Sequence, residues 1–192
     1  MDVARSGQRH VATSAIVPAG EQHILDAPDS RVGILLLDPI LAPPVPAPHA
    51  VRTHPDAANW IATLRQTPSP LVDLPAWIRQ TSDPSGQIDT RVIAAADLLD
   101  ATVAENQRIA ALAGEIGLSE SRLQHLFVSE TGLRLRQYRV WMRLLHAAHD
   151  AGLGRSITRA AYDNGFSSPS HFSHTFRTTF GLAPREILTA RR

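Results

Sequence analysis

The chain has 192 residues, 43% of them apolar, and a formal net charge of +1. That is enough apolar material for the core of one ordinary domain plus extra, or of two small ones. The absence of cysteine excludes disulfides, thiolate metal sites and cysteine nucleophiles; no run of about 18 apolar residues is present, so no membrane helix is expected.

The first segment, MDVARSGQRH, has no apolar signal-peptide core, and a cytoplasmic location is expected. Residues 10–37 read as strands, because HVATSAIV and RVGILLLD are β-branched or aliphatic and flank the turn signals PAGE and APDS. Two strands are marginal alone, so this arm must pack on something else. ILAPPVPAPHA follows Pro39, and with five prolines from Pro39 through Pro48 this stretch reads as a stiff linker. Residues 55–66 and 71–80 are expected to form one good helix and one shorter one. Trp60, Ile61 and Leu64 share a face, as do Leu74, Trp77 and Ile78. These tryptophans are read first as core or packing, with a dimer contact as the functional alternative. TSDPSGQ breaks the chain again. Beyond it, helices are expected over 90–102, 106–116, 120–130, 134–151, 156–163, 168–180 and 185–190.

The helical half repeats itself. Ile109, Ala113, Gly117 and Ser119 recur 48 residues later as Ile157, Ala161, Gly165 and Ser167. Phe127, Gly132 and Leu133 recur 49 residues later as Phe176, Gly181 and Leu182, so the second copy carries one extra residue. Each copy reads helix, Gly, apolar residue, Ser, helix, Gly. The first Gly accepts a positive φ at no steric cost. Leu118 or Phe166 enters the core, and Ser119 or Ser167 is expected to cap the next helix. Two helices crossing through so short a turn form a helix-turn-helix. The long helix between the copies rises roughly 27 Å over its 18 residues. Tyr138, Trp141, Leu144, Leu145 and Ala148 give it faces for packing on both copies.

In the second helix of each copy, Leu123, Leu126 and Phe127, or Phe172, Phe176 and Phe180, form an apolar face. The opposite face carries Ser121, Arg122, Gln124 and His125 in the first copy and Ser170, His171, His174 and Arg177 in the second. Hydrogen-bonding residues on such a face are what reading base edges in a major groove requires. Charge points the same way. Residues 1–87 carry 6 arginines and 8 acids, whereas from Asn106 onward 12 arginines stand against 6 acids; an anionic partner and a plain solvated surface both fit that balance. Rival chemistries are poorly supplied. His171 and His174 lie three apart, but a metal site needs three or four ligands and no carboxylate or cysteine is near in sequence. A Ser/His catalytic pair would need an orienting acid and an oxyanion hole. Accordingly no catalytic residue, metal or cofactor is expected, and the chain is not read as an enzyme.

These residues resemble a known family. LAGEIGLSESRLQHLF, ETG, NGFSSPSHFSHTFRTTFG and the later Pro184 are similar to the AraC/XylS-type DNA-binding domain of bacterial transcription regulators, over about residues 90–190. The resemblance implies a mainly α fold with two helix-turn-helix subdomains joined by a linker helix, behind a short β-hairpin-like arm and one or two helices. It implies a sequence-specific regulator whose helices 120–130 and 168–180 enter successive major-groove segments. It puts Ser121, Gln124 and His125, then Pro169, Ser170, His171 and His174, at the usual base-facing positions. Arginines that often stand in the family at His125 and His174 are replaced here by histidine. VPAGEQHILDAP with RVGILLLDP resembles, over less of the chain, the last strands of a cupin-type sensor barrel. Pro18 to His23 match half of that motif and the HxH…E half is absent, so most of a barrel would be missing, as in a short form or a chain that lost an upstream start. A small cupin-like enzyme or sensor, with His23 as a ligand, is the alternative reading. A DNA-repair alkyl acceptor fused to such a domain is opposed by the lack of cysteine. The expected domains are a partial cupin-like segment over 1–42, a Pro-rich linker with short helices over 43–88, and the DNA-binding domain over 89–192. Double-stranded DNA is the expected partner; RNA polymerase, a small-molecule effector and a homodimer through residues 1–88 are further candidates.

Overall fold

In the computed structural model, the described residues are 2–5, 8–11, 24–26, 38, 40, 88–181 and 183–185. The chain divides into two units, Met1–Gln87 with Glu130–Gly132, and Ile88–Ser129 with Leu133–Arg192. In the first, β1 (Asp2–Arg5) lies between β2 (Gln8–Val11) and β3 (Ile24–Asp26), antiparallel to both. The register pairs Asp2 with Val11 and Arg5 with Gln8 on one side, and Asp2 with Asp26 and Ala4 with Ile24 on the other. The central strand β1 was not foreseen: it has four residues, two of them charged, too few to show a period. Farther on, the Ile40 N–H donates to Asp38 Oδ1 at 2.9 Å, an Asx turn at the entrance to the prolines. Most of HVATSAIV and RVGILLLD, the helices expected over 55–66 and 71–80 with Trp60 and Trp77, and His23 lie outside the described residues.

The second unit is helical: α1 (Thr90–Ala101), α2 (Ile109–Glu115), α3 (Glu120–Thr131), α4 (Leu135–Gly152), α5 (Ile157–Asp163) and α6 (Pro169–Phe180). Asp89 caps α1, accepting from the Arg91 N–H at 2.9 Å and from its guanidinium at 2.6 Å. Those hydrogen bonds hold the Asp89 carboxyl down at about 2. α1 packs against α2 and α4, and α4, α5 and α6 pack on one another. Two cores result. Val92, Ala95, Leu99, Ile109, Leu112, Leu123, Phe127 and Tyr138 are buried in the first repeat and the half of α4 that meets it. Phe127 meets Tyr138 edge to face at 5.2 Å. In the second repeat, Leu144, Ala147, Ala160, Ala161, Phe166, Phe172 and Phe176 form one buried cluster. So α4 is a strut shared by both copies, as its pattern required. Its Leu145 and Ala148 are only half-buried, whereas Met142 and Ala147, which the pattern did not single out, are buried.

The two turns repeat closely. Gly117 and Gly165 have φ of 74° and 77°. The next N–H, of Leu118 or Phe166, reaches back to the carbonyl of Ala113 or Ala161 at 2.9 or 3.0 Å. This six-to-one closure ends each short helix, and the buried alanine lets the chains approach. α2 starts three residues later than the expected 106: its cap residue Arg108 is extended, and the chain before it is tied to Arg143. Arg143 Nε donates to the Val103 carbonyl at 2.7 Å. Its Nη2 reaches the Glu105 carbonyl at 2.8 Å and Asn106 Oδ1 at 3.1 Å.

Candidate nucleic-acid interface

In α3, Leu123 and Phe127 are buried, which turns Ser121, Arg122, Gln124 and His125 outward; all four are exposed. Ser119 Oγ accepts from the Arg122 N–H at 3.3 Å, the expected cap. Gln124 Nε2 donates to Glu120 Oε1 one turn back at 2.9 Å, which holds the amide along the helix. In α6, Phe172 and Phe176 are buried and Ser170, His171, His174 and Arg177 are exposed. Each set of four therefore lies on one open helix face opposite its core anchors, a little over one turn long in α3 and about two turns long in α6. Arg122 and Arg177 make no hydrogen-bonded ion pair among the described residues, whereas Arg91, Arg155 and Arg159 each face an aspartate.

The second cap corrects the sequence reading. Ser168, not Ser167, accepts the His171 N–H, at 3.0 Å. Pro169 occupies the first helical position, where a missing N–H costs nothing and φ is already suitable, and this selects the residue before it as the cap. Ser168 stands 49 residues after Ser119, so the extra residue of the second copy is Ser167 itself. Its hydroxyl instead meets His171 Nδ1 at 3.0 Å, while the ring of Phe166 lies edge-on to the imidazole at 5.5 Å. His171 is thus held on two sides, with Nδ1 engaged. Ser173, half-buried, takes the place in α6 that Gln124 has in α3; only the 49-residue offset reveals that pairing. Replacing Ser168 by alanine is expected to destabilise the fold by about 1 kcal/mol, and Ser167→Ala by about 0.5 kcal/mol or less, in thermal denaturation.

Sequence reasoning passed over the arginines of α4. Burial holds the guanidiniums of Arg139 and Arg143 below the ordinary arginine value, and neighbouring Arg143 and Arg136 add to this at Arg139. Among the described residues, no group of three or more His, Cys, Asp or Glu is placed to hold a metal ion. No helix there is long and apolar enough to cross a membrane.

Comparison with known proteins matches the helical half of the chain. A helix-turn-helix domain family matches residues 112–190. The HTH-type transcriptional activator RhaS of Escherichia coli is 37% identical over 82 residues, which are 42% of this chain and 30% of that protein. The transcriptional regulator MxiE of Shigella flexneri is 33% identical over 81 residues, 42% of this chain and 39% of that one. The chain thus spans about a third of the length of these curated relatives. A crystal structure of a transcriptional regulator from Chromobacterium violaceum, described as an AraC-type DNA-binding domain-containing protein, superposes with a TM-score of 0.51 at 30% identity. It covers 53% of this chain and 92% of that one.

Proposed function

Since the chain belongs to the AraC-type DNA-binding family through its helical half, we propose that it is a sequence-specific DNA-binding transcription regulator that places α3 and α6 in successive major-groove segments. The observation that supports this most is the repeated exposed face. Two helices, each capped by a serine and anchored by a buried aromatic, turn four polar residues outward, and Ser121, Arg122 and His125 match Ser170, His171 and His174 in position. Gln124, His125, Ser170, His171 and His174 would meet base edges, with Ser121 beside them. Arg122 and Arg177, exposed on these faces, would meet phosphates. Glutamine can bond adenine at two points. The two ring nitrogens of a histidine point apart, so it meets a base edge with one of them and cannot copy the bidentate arginine–guanine contact. The bases read by His125 and His174 should therefore be less strictly fixed than the one read by Gln124.

No step on this reading calls for a catalytic group, a metal or a cofactor. The domains follow as a DNA-binding domain over 89–192 behind a linker over 43–88 and the strand segment over 1–42. RNA polymerase is the partner that an activator would recruit, a homodimer would form through residues 1–88, and a regulator of this kind works in the cytoplasm. The test is a binding titration on DNA selected from a random pool. Gln124→Ala and His171→Ala should each lower affinity by about 1–3 kcal/mol and relax the preference at one position. Arg177→Ala should weaken binding to all sequences alike and lower the slope of log affinity on log salt by about 1. Equal binding of selected and random DNA, unmoved by the first two substitutions, would sink the assignment of the base-reading residues.

A further inference from the structure

Both turn glycines have a positive φ, but their surroundings differ. A Cβ on Gly117 would meet nothing within 4 Å. A Cβ on Gly165 would lie 2.7 Å from the Ala104 carbonyl oxygen and 3.0 Å from Cζ of Arg143. The second turn is therefore pressed onto the loop between α1 and α2, with the Arg143 guanidinium beside the contact. The same guanidinium binds the carbonyls of Val103 and Glu105 and the side chain of Asn106. Three segments meet at one side chain: the lead into α2, the strut α4, and the turn into α6. Four residues after Gly165 the reading helix α6 begins, with Phe166 sunk in the core between.

The structure assigns Arg143 the role of a positioning residue that fixes the angle and spacing between the two reading helices, and so the spacing of the two DNA segments the chain accepts. This rests on the DNA-binding reading above. Helix packing alone leaves some freedom to rock each copy about α4. A planar fork on carbonyls of the α1–α2 loop removes it, because its donors are rigid with respect to one another. Lysine at this position keeps the charge and most of the stem. It presents one tetrahedral nitrogen and cannot reproduce the fork.

The experiment pairs Arg143→Lys with wild type. Because the chain has no cysteine, Val128→Cys on α3 and Thr179→Cys on α6, both exposed, accept spin labels without background. Their separation is read by pulsed electron spin resonance on the full chain without DNA. The distance distribution should be narrow in wild type and clearly broader or shifted in Arg143→Lys; an unchanged distribution overturns the proposal. On selected DNA, one base pair inserted between the two segments should weaken wild type at least about tenfold and Arg143→Lys less than about threefold. An equal spacing penalty in both proteins also overturns it. Arg143→Ala, which removes every bond, serves only as the extreme case, since it need not fold. Should wild type bind selected and random DNA alike, the DNA reading fails and the role in spacing fails with it. The distance measurement still decides whether Arg143 fixes the helices.

Discussion

Replacing Phe172 by alanine is expected to cost about 3–5 kcal/mol of stability, the largest effect of any single side-chain truncation in the second repeat. The ring is fully buried. It sits 5.2 Å from Phe166 and 5.5 Å from Phe176, in a line of edge and tilted contacts that continues to Phe180 at 4.6 Å. Its removal takes away both the transferred apolar surface and the packing of two further rings, and the backbone of α6 cannot close the gap without losing its seat on α4 and α5. Urea denaturation followed by circular dichroism would measure it. A loss under about 1 kcal/mol would mean that the aromatic line repacks and does not set the position of α6.

Gly165→Ala comes next, and its partner in the repeat supplies the control. Both glycines require left-handed backbone, which costs an alanine roughly 1–2 kcal/mol. At Gly117 that should be the whole effect, because the space beyond is open. At Gly165 the added carbon must also push against a backbone oxygen at 2.7 Å, which carries an overpacking cost of about 1–3 kcal/mol more. Gly165→Ala should therefore destabilise the fold by about 3 kcal/mol or more, and Gly117→Ala by about half that. Equal losses in paired denaturation curves would show that the Ala104 loop gives way freely and is not held against the second turn.

The repeat was legible because each of its residues answers a local demand. Gly117 and Gly165 are fixed by the sign of φ, and Ser119 by an orphan N–H. Phe127 and Phe176 follow from the spacing of a face that must be covered. Such demands recur whenever the same turn recurs, so offsets of 48 and 49 residues exposed them. The faces opposite Leu123 and Phe127 in α3 and opposite Phe172 and Phe176 in α6 followed from the same period, and the four expected polar residues of each lie exposed. The choice between Ser167 and Ser168 was not legible from the offset: both serines can cap, and the proline after the second decided it. Arg143 was hidden for a different reason. Two of its three acceptors are backbone carbonyls about 40 residues away in sequence, and a carbonyl belongs to every residue, so nothing in the sequence marks the partner. β1 shows the limit of periodicity itself, since Asp2–Arg5 is recognised as a strand only through the two neighbours it pairs with.

Chemical protection of bound DNA addresses the central claim most directly. Methylation of guanine N7 probes the major groove, and methylation of adenine N3 the minor groove. With selected DNA and the full chain, two patches of N7 protection should appear on one face of the duplex, about one helical turn or 10 base pairs apart. Gln124→Ala should weaken one patch and His171→Ala the other. A single N7 patch, or protection confined to N3, would contradict a chain that reads two successive major-groove segments with α3 and α6.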